Sequence, residues 1–262
     1  MYIGRNDIAV PVYGLMVLTG IVAGVIVGIR LVKKDGLSVD DFTLLAAYTV
    51  LGGFTGAKFL YLWVSRDAIQ WEQMLNLSYF RAVMSGGFVF YGGLFGGFLG
   101  LASGAWIHGI QARRYLYVCI PILPLAHAFG RLGCGAAGCC YGIPYQGPFQ
   151  IVYRHAAAAP VGIPLFPVQY LEAFIEFLLA AVIFRMVSQK GGTCRGVELY
   201  LLVYSMTRFL LEFLRYDRVE RGSWKNLSTS QWISLGIFIA AALYILYIEV
   251  KSSAGERGKR YG

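Results

Sequence analysis

Charged side chains recur at helical spacing inside apolar blocks of this sequence. Arg208, Glu212 and Arg215 follow at intervals of four and three, so a helix would place all three on one face. A charged group near the centre of a bilayer costs about 2.5 to 3.5 kcal/mol on insertion scales, so it needs a partner, a watery cavity or a function. This polar stripe is therefore a candidate site.

Two further stripes share that spacing in neighbouring apolar blocks. Their members lie three or four residues apart: Gln169, Glu172 and Glu176 in one, and His127, Arg131 and Cys134 in the other. A structural ion pair between helices would explain one such pair, but three stripes favour a shared polar site. The surplus of arginine favours an oxyanion over a proton path, because a guanidinium binds phosphate through a fork of N–H groups and stays protonated. We expect a phospholipid headgroup as that anion.

His127 and Lys58 each have two interpretations. His127 lies one helical turn before Arg131 and is either a general base or a hydrogen-bonding group between helices. Lys58, near Tyr61, is either a further cation for the headgroup or a side chain that extends toward the membrane interface. Both alternatives stay open for both residues.

A glycine-rich stretch ends the block that contains Arg131. From His127 to Gly142 it reads His-Ala-Phe-Gly-Arg-Leu-Gly-Cys-Gly-Ala-Ala-Gly-Cys-Cys-Tyr-Gly, with five glycines. We expect a turn here that bends around a ligand, with exposed N–H groups beside Arg131 forming an anion-binding concavity.

The elements that must position these residues are membrane-spanning helices. Of the 262 residues, 57% are hydrophobic and 14% are charged, against about 25% charged in ordinary soluble domains. The apolar blocks have about 20 residues each, which is enough to cross a hydrocarbon core. We predict an all-α polytopic membrane protein with one domain, 1–262, and about seven spans: 9–31, 42–64, 86–107, 116–132, 168–187, 198–214 and 231–250. Gly52, Gly53 and Gly56 indicate close helix packing.

Lysine and arginine predict the orientation of these spans. The net charge is +9, and its carriers cluster at the ends of apolar blocks, which is typical of membrane topology signals. Without a basic and aromatic platform, we expect no nucleic-acid partner. The four basic segments should be cytoplasmic: Arg30, Lys33 and Lys34; Arg113 and Arg114; Arg185, Lys190 and Arg195; and Lys251, Arg257, Lys259 and Arg260.

The N-terminus then lies outside and the C-terminus lies in the cytoplasm. The connections 65–85 and 133–166 face the exterior, where we expect them to cap the site. Four prolines exclude a continuous helix from the second connection: Pro144, Pro148, Pro160 and Pro164.

Three cysteines cluster at the outer mouth of this arrangement: Cys134, Cys139 and Cys140. A structural disulfide is the leading interpretation on an oxidising side of the membrane, and a nucleophilic cysteine beside Arg131 is the second. We expect no metal, because vicinal Cys139 and Cys140 should not both bind one ion and no histidine lies at a ligand spacing. Cys119 and Cys194 should face the reducing side and be inert.

The glycine-rich stretch resembles the signature of the prolipoprotein diacylglyceryl transferases of bacterial inner membranes, Gly-Arg-x-Gly-Asn-x-x-Asn-Gly-Glu-x-x-Gly. The matching positions are Gly130, Arg131, Gly133, Gly138 and Gly142. The resemblance covers nearly the whole chain. Tyr13-Gly-Leu-Met16 is similar to a first-span motif, and Tyr91-Gly-Gly-Leu94 lies where the family has His-Gly-Gly. Pro167-x-Gln169 with Glu172 resembles Pro-Ser-Gln-x-x-Glu, and Arg208, Glu212 and Arg215 resemble Arg-x-x-x-Glu-x-x-Arg.

This resemblance implies transfer of a diacylglyceryl group from phosphatidylglycerol to the thiol of a lipoprotein precursor, with release of glycerol phosphate and without a cofactor. It implies that Arg131 and Arg208 bind phosphate, that Glu212 orients an arginine and that Tyr13 contacts the headgroup. The resemblance also implies that Gly142 bends a helix to shape the pocket. The other candidates for catalysis or substrate binding come from the matched motifs or, for His127 and Lys58, from their positions in the spans: His127, Tyr91, Lys58, Gly133, Cys134, Cys139, Gln169, Glu172 and Arg215.

The chain departs from the family pattern at four positions. Cys134 and Ala137 replace the two signature asparagines, Cys139 replaces the glutamate, and Tyr91 replaces the histidine. These differences indicate a divergent member whose acceptor is a lipoprotein precursor or another thiol or hydroxyl. Two alternatives stay open: a thiol-disulfide or sulfur-handling protein that uses the three clustered cysteines, and a lipid-binding or transport protein without covalent chemistry.

Overall fold

The computed structural model describes residues 2–3, 10–190, 195–216, 223–225 and 227–260. Nearly all of its regular structure is helical, as predicted. The α-helices are α1 Val12–Lys34, α2 Val39–Val64, α3 Leu77–Ser85, α4 Phe90–His108, α5 Ala112–Cys119, α6 Ile122–Ala137, α7 Val168–Lys190, α8 Gly196–Leu211 and α9 Thr229–Arg260. Short 3-10 helices cover Trp71–Leu75 and Glu212–Leu214.

The described strands form three two-residue antiparallel pairs. They are β1 Tyr2–Ile3 with β2 Val10–Pro11, β3 Ile151–Val152 with β4 Pro164–Leu165, and β5 Ser223–Trp224 with β6 Leu227–Ser228. The β3–β4 pair lies in the proline-containing connection after α6, where no α-helix is described between Ala137 and Val168. The prediction that the prolines exclude a continuous helix there is confirmed.

Three described helices are long and apolar enough to cross a membrane: Val12–Lys34, Val39–Val64 and Thr229–Lys251. α5 and α6 form a fourth candidate, bent by 56° at the break between them. Pro121 lies at this break, where its ring and missing N–H group interrupt helical hydrogen bonding. The block 116–132, predicted as one span, therefore contains parts of two helices.

Each of the other predicted blocks coincides with one α-helix, although the boundaries differ. α9 continues to Arg260, ten residues past its predicted end at 250. The connection 65–85 contains α3 and a 3-10 helix, which the sequence did not predict. α3 begins at the cap residue Asn76, whose side chain accepts a hydrogen bond from the N–H group of Ser78.

The described chain forms two compact units. The larger contains Met1–Leu31 and Tyr117–Gly262, and the smaller contains Val32–Leu116. In the larger unit α6 packs on α7, α7 packs on α8, and α8 packs on α9. This order places the three polar stripes on helices that contact one another.

In the smaller unit α2 and α4 pack through glycines. A Cβ atom on Gly52 would collide with the carbonyl oxygen of Gly96, and one on Gly56 would collide with that of Gly92. Only glycine lets the two backbones approach this closely. The prediction that Gly52, Gly53 and Gly56 mark close helix packing is confirmed.

Candidate functional site

α6 and α7 bring four ionisable side chains into one network. Arg131 Nη2 lies 3.0 Å from Glu172 Oε1, and Arg131 Nε donates a hydrogen bond of 3.1 Å to His127 Nε2. His127 Nδ1 lies 3.2 Å from Glu176 Oε1. Both ring nitrogens of His127 contact other side chains, one of them on the neighbouring helix, and its role as a general base stays a prediction.

Arg208 and Glu212 form a second buried pair. Arg208 Nη2 lies 2.6 Å from Glu212 Oε2 and donates a hydrogen bond of 3.3 Å to Ser230 Oγ on α9. Arg208 Nη1 is buried, and it has no hydrogen-bond acceptor within the described part of the chain. A buried donor without a partner costs about 1 to 3 kcal/mol, and more when it carries charge. This N–H group is therefore a candidate point of contact for an anionic oxygen.

Electrostatic interactions connect the two pairs. Glu172 and Arg131 both interact electrostatically with the guanidinium group of Arg208. Tyr204 lies in the field of both arginines, and its ring meets the ring of His127 edge-on with centroids 5.4 Å apart. The three stripes therefore converge in the larger unit.

The stripe of Arg208, Glu212 and Arg215 is interrupted before Arg215. The 3-10 helix ends at Leu214, and Arg215 is extended, with φ −95° and ψ 134°, and forms an isolated bridge with Gly142. Arg208, Glu212 and Arg215 consequently do not share one continuous helical face, and that prediction is wrong. The buried Arg215 nevertheless acts electrostatically on Arg208 and Glu212.

The glycine-rich stretch also differs from its prediction. α6 continues through Ala137, so Gly133 and Gly135 lie within the helix and do not form an anion-binding turn. The chain leaves the helix at Gly138, whose φ of 70° favours glycine. Gly142 is extended rather than helix-bending, and a Cβ atom there would collide with the carbonyl oxygen of Phe166.

The three cysteines converge where α6 ends. The Sγ atoms of Cys134, Cys139 and Cys140 all lie within 4.8 Å of one another, and no disulfide joins them in the structure. Cys140 has a φ of 56°, so the chain turns sharply at the vicinal pair. Hydrogen bonds from the other two thiols, and the charges of Arg215 and Arg131, lower the pKa of Cys140. The two vicinal thiols therefore lie close to each other and to Cys134, and the expectation that Cys139 and Cys140 do not both bind one ion stays a prediction.

The remaining cysteines are separate from this cluster. Cys119 is reduced and lies at the end of α5. Cys194, which was expected to be inert, lies outside the described residues.

Gln169 and Tyr153 hold the backbone beside the cysteines. Gln169 Nε2 donates a hydrogen bond of 2.9 Å to the carbonyl oxygen of Cys139 and one of 3.4 Å to the Tyr153 hydroxyl. The Tyr153 hydroxyl donates to the carbonyl oxygen of Gly135 at 2.8 Å. Burial raises the pKa of Tyr153 to about 12. These bonds fix the turn that follows α6.

Tyr13 also lies beside this cluster. It interacts electrostatically with Cys134, Cys139, Cys140 and Arg131. A Cβ atom on Gly133 would lie 3.0 Å from Tyr13 Cδ2, so the absence of a side chain at Gly133 allows α1 to approach α6.

The two candidate residues of the smaller unit have different surroundings. Lys58 Nζ donates hydrogen bonds to the carbonyl oxygens of Val83 and Gly86, both at 2.6 Å, at the end of α3. A cation at the carboxyl end of a helix interacts favourably with the exposed carbonyl groups. Tyr91 lies in the first turn of α4 and is 55% exposed.

Sequence reasoning missed Tyr204 and Ser230. Tyr200, Tyr204, Arg208 and Glu212 follow at intervals of four, so the spacing that identified Arg208 could also have identified Tyr204. Ser230 belongs to the first turn of α9, and its contact with Arg208 has no local signal because the two residues are 22 positions apart.

The sequence model of the prolipoprotein diacylglyceryl transferase family matches residues 2–247. A Clostridium tetani protein named phosphatidylglycerol–prolipoprotein diacylglyceryl transferase is 34% identical over 235 residues, which cover 87% of this chain and 90% of that protein. A Clostridium perfringens protein with the same name and the suffix 2 is 32% identical over 231 residues, 88% of each chain. A similarly named Methylococcus capsulatus protein is 28% identical over 253 residues, 94% of this chain and 91% of the other.

Proposed function

This chain belongs to the prolipoprotein diacylglyceryl transferase family, and we propose that it transfers the diacylglyceryl group of phosphatidylglycerol to the cysteine thiol of a prolipoprotein. The acceptor sulfur forms a bond to a glycerol carbon while the bond between that carbon and the phosphate oxygen breaks. The proton of the thiol is lost, and glycerol phosphate leaves with the electron pair. Family membership favours this transferase over the thiol-disulfide and lipid-carrier hypotheses.

The observation that carries the proposal is the buried N–H group of Arg208 Nη1 without a described acceptor. A phosphate oxygen of the donor lipid supplies such an acceptor. Negative charge grows on that phosphate as its bond to the glycerol carbon breaks, so the guanidinium interacts more strongly with the transition state than with the bound lipid. Glu212 holds Arg208 in place through the 2.6 Å contact.

Arg131 is the second cation of the proposed phosphate site. Its contacts with Glu172 and His127 fix the orientation of the guanidinium plane before the lipid binds. A preoriented charge does not have to reorganise during the reaction, which is the main source of electrostatic catalysis. In this assignment Glu172 and His127 are positioning residues.

The same proposal includes the number of spans and the orientation of the chain in the membrane. We infer seven spans in the bacterial inner membrane, with the N-terminus outside and the C-terminus in the cytoplasm. The connections 65–85 and 133–166 would lie on the outer face and cap the site. The chain offers Tyr13 for the headgroup, and Gly133, Cys134, Cys139, Gly142, Gln169 and Arg215 around the acceptor. The roles of Tyr91 and Lys58 stay predictions.

The test uses purified full-length protein in vesicles that contain labelled phosphatidylglycerol and a peptide with the acceptor cysteine of a prolipoprotein. We expect lipidated peptide and glycerol phosphate in equal amounts. Arg208→Gln should lower the rate by about 100-fold or more, as removal of an oxyanion-stabilising donor does. The matched control is Arg195→Gln, because Arg195 is exposed and its 2.8 Å ion pair with Glu249 involves no site residue.

Arg208→Lys separates charge from geometry. Lysine keeps the positive charge but lacks the fork of N–H groups, so an intermediate rate is expected. A folded Arg208→Gln protein with the wild-type rate would contradict the phosphate assignment. A wild-type protein that releases no glycerol phosphate with any thiol peptide would contradict the proposed function.

A further inference from the structure

The cysteine cluster has a geometry that the family reaction does not account for. Cys134 is on the last full turn of α6, whereas Cys139 and Cys140 follow the turn at Gly138. The three Sγ atoms nevertheless lie within 4.8 Å of one another, and all three residues are partly exposed. Three thiols that converge in this way are a typical ligand set for a thiophilic metal ion.

We propose that Cys134, Cys139 and Cys140 bind one Zn²⁺ ion as thiolates, and that its fourth coordination position accepts the thiolate of the acceptor cysteine. The second half of this proposal rests on the proposed function, whereas the first half does not. Tetrahedral zinc with three protein ligands and one open position is the usual arrangement of catalytic zinc.

The distances allow this coordination with small movements. Zinc–sulfur bonds of about 2.3 Å in a tetrahedron place the sulfur atoms about 3.8 Å apart. The observed limit of 4.8 Å is about 1 Å longer, a difference that rotation about the Cα–Cβ bonds can remove. The backbone is already fixed, since the N–H group of Cys139 donates to the carbonyl oxygen of Cys134 at 3.1 Å and Gln169 binds the carbonyl oxygen of Cys139.

The surrounding charges suit an anionic metal centre. Three thiolates and one Zn²⁺ carry a net charge of −1. Arg131 acts electrostatically on Cys134 and Cys140, and Arg215 acts on Cys140. Arg215 and Arg131 thus provide positive potential beside the centre, although the charge of Arg131 is shared with its partner Glu172.

A zinc ion at this place would explain how the acceptor thiol is deprotonated before the transfer. A cysteine thiol is mostly protonated at neutral pH, but the thiolate is the nucleophile. On binding the metal the acceptor S–H group releases its proton to water, because a coordinating thiol is deprotonated. The sulfur then forms its bond to the glycerol carbon, and the carbon–oxygen bond breaks as glycerol phosphate departs. The thioether product is neutral and therefore a weaker ligand, so it can leave.

The binding test uses Co²⁺ as a spectroscopic substitute for Zn²⁺. Purified full-length protein is reduced, freed of metal with a chelator and titrated with Co²⁺. We expect a thiolate-to-cobalt charge-transfer band that saturates at one Co²⁺ per chain and disappears when Zn²⁺ is added. Cys134→Ser, Cys139→Ser and Cys140→Ser should each lose the band. Cys119→Ser is the matched control and should keep it, since Cys119 is outside the cluster.

A second measurement needs no variant. Zn²⁺ should protect three thiols of the wild-type protein from alkylation, and mass spectrometry should place them at Cys134, Cys139 and Cys140. An absent band, or a band that persists in the triple serine variant, overturns the metal site. Protection that is seen only after oxidation, with no metal bound, assigns the cluster to a disulfide and also overturns it.

A separate measurement tests whether the acceptor thiolate occupies the fourth coordination position. Addition of the acceptor peptide to the Co²⁺ protein should strengthen the charge-transfer band, and a peptide with serine in place of the cysteine should not. If the band stays constant and the metal-free protein transfers lipid at the full rate, the fourth-ligand role is wrong while the proposed function stands. If Co²⁺ binds but no form of the protein transfers lipid, the metal site stands and the proposed function fails.

Discussion

Two helix interfaces of this protein are built from opposite kinds of residue. In the smaller unit α2 and α4 meet through glycines such as Gly52 and Gly96. In the larger unit α6, α7 and α8 meet through buried ionisable residues, among them Arg131 and Glu172. Glycine contacts hold membrane helices together without desolvated charge, whereas each buried charge is costly. Helix packing alone therefore does not require the charges of the larger unit, and this favours their role in binding an anionic lipid.

Arg131→Gln is the strongest test of this comparison. We expect activity to fall by about 10²- to 10³-fold, as when one oxyanion donor is removed. The variant should also lose about 3 to 5 kcal/mol of stability, because Glu172 stays buried without its partner. Lipid transfer and thermal unfolding in detergent measure the two effects.

The double variant Arg131→Gln/Glu172→Gln separates the two contributions. Removal of both charges should restore much of the stability but none of the activity. If activity recovers together with stability, Arg131 acts only in packing, and the contrast between the two interfaces fails.

Gly52→Leu should lower the stability of the protein but not its rate of lipid transfer per folded molecule. A side chain at Gly52 collides with the backbone of α4, so we expect a loss of about 1 to 3 kcal/mol in stability from overpacking. Protein that remains folded should keep its rate per molecule. Gly236→Ala is the matched control, because among the described residues no atom outside the local helix backbone lies within 4 Å of a Cβ built there. A large fall in the rate of folded Gly52→Leu protein would connect the smaller unit directly to catalysis.

His127→Gln tests whether the histidine positions Arg131 or takes a proton. Since Nε2 already accepts from Arg131 and Nδ1 faces Glu176, we expect less than about a tenfold fall in rate and an unchanged acid limb of the pH–rate profile. A fall of about 10²-fold or more with loss of that limb would identify His127 as a general base.

Tyr153→Phe tests the hydrogen bond that holds the turn beside the cysteines. It should have the smallest effect on stability. Loss of the hydrogen bond to Gly135 should cost about 0.5 to 1.5 kcal/mol at neutral pH. The folded-state pKa of Tyr153 is about 12 and its ordinary value is 10.0, so the folded protein holds this proton more tightly. Wild-type stability should therefore fall between pH 10 and pH 12 more steeply than that of Tyr153→Phe.

The helices and the polar stripes were predictable because both depend on local periodicity. Apolar blocks of about 20 residues and intervals of three or four need only the helical repeat to be interpreted. Arg215 shows the limit of this reasoning. Its spacing from Glu212 is helical, but the chain becomes extended there and pairs with Gly142, a partner 73 positions away.

Lys58 and the glycine-rich stretch show the same limit. The position of Lys58 in a span was clear, yet its carbonyl partners belong to α3, a helix that the sequence did not predict. Gly133 and Gly135 suggested a turn, but the helical packing of α6 against Tyr13 and Tyr170 keeps them in the helix.

Neighbouring residues were enough to predict the membrane-helix class, two of the three polar stripes in full and the family, because hydrocarbon thickness, helical repeat and signature spacing are local properties. Only the tertiary structure decided which groups meet: Glu176 with His127, Ser230 with Arg208, and the three cysteine sulfurs with one another. These contacts depend on the bend at Pro121, the left-handed backbone at Gly138 and Cys140, and the packing of helices distant in the chain. No local sequence pattern predicts these contacts, because they form only when whole helices pack together.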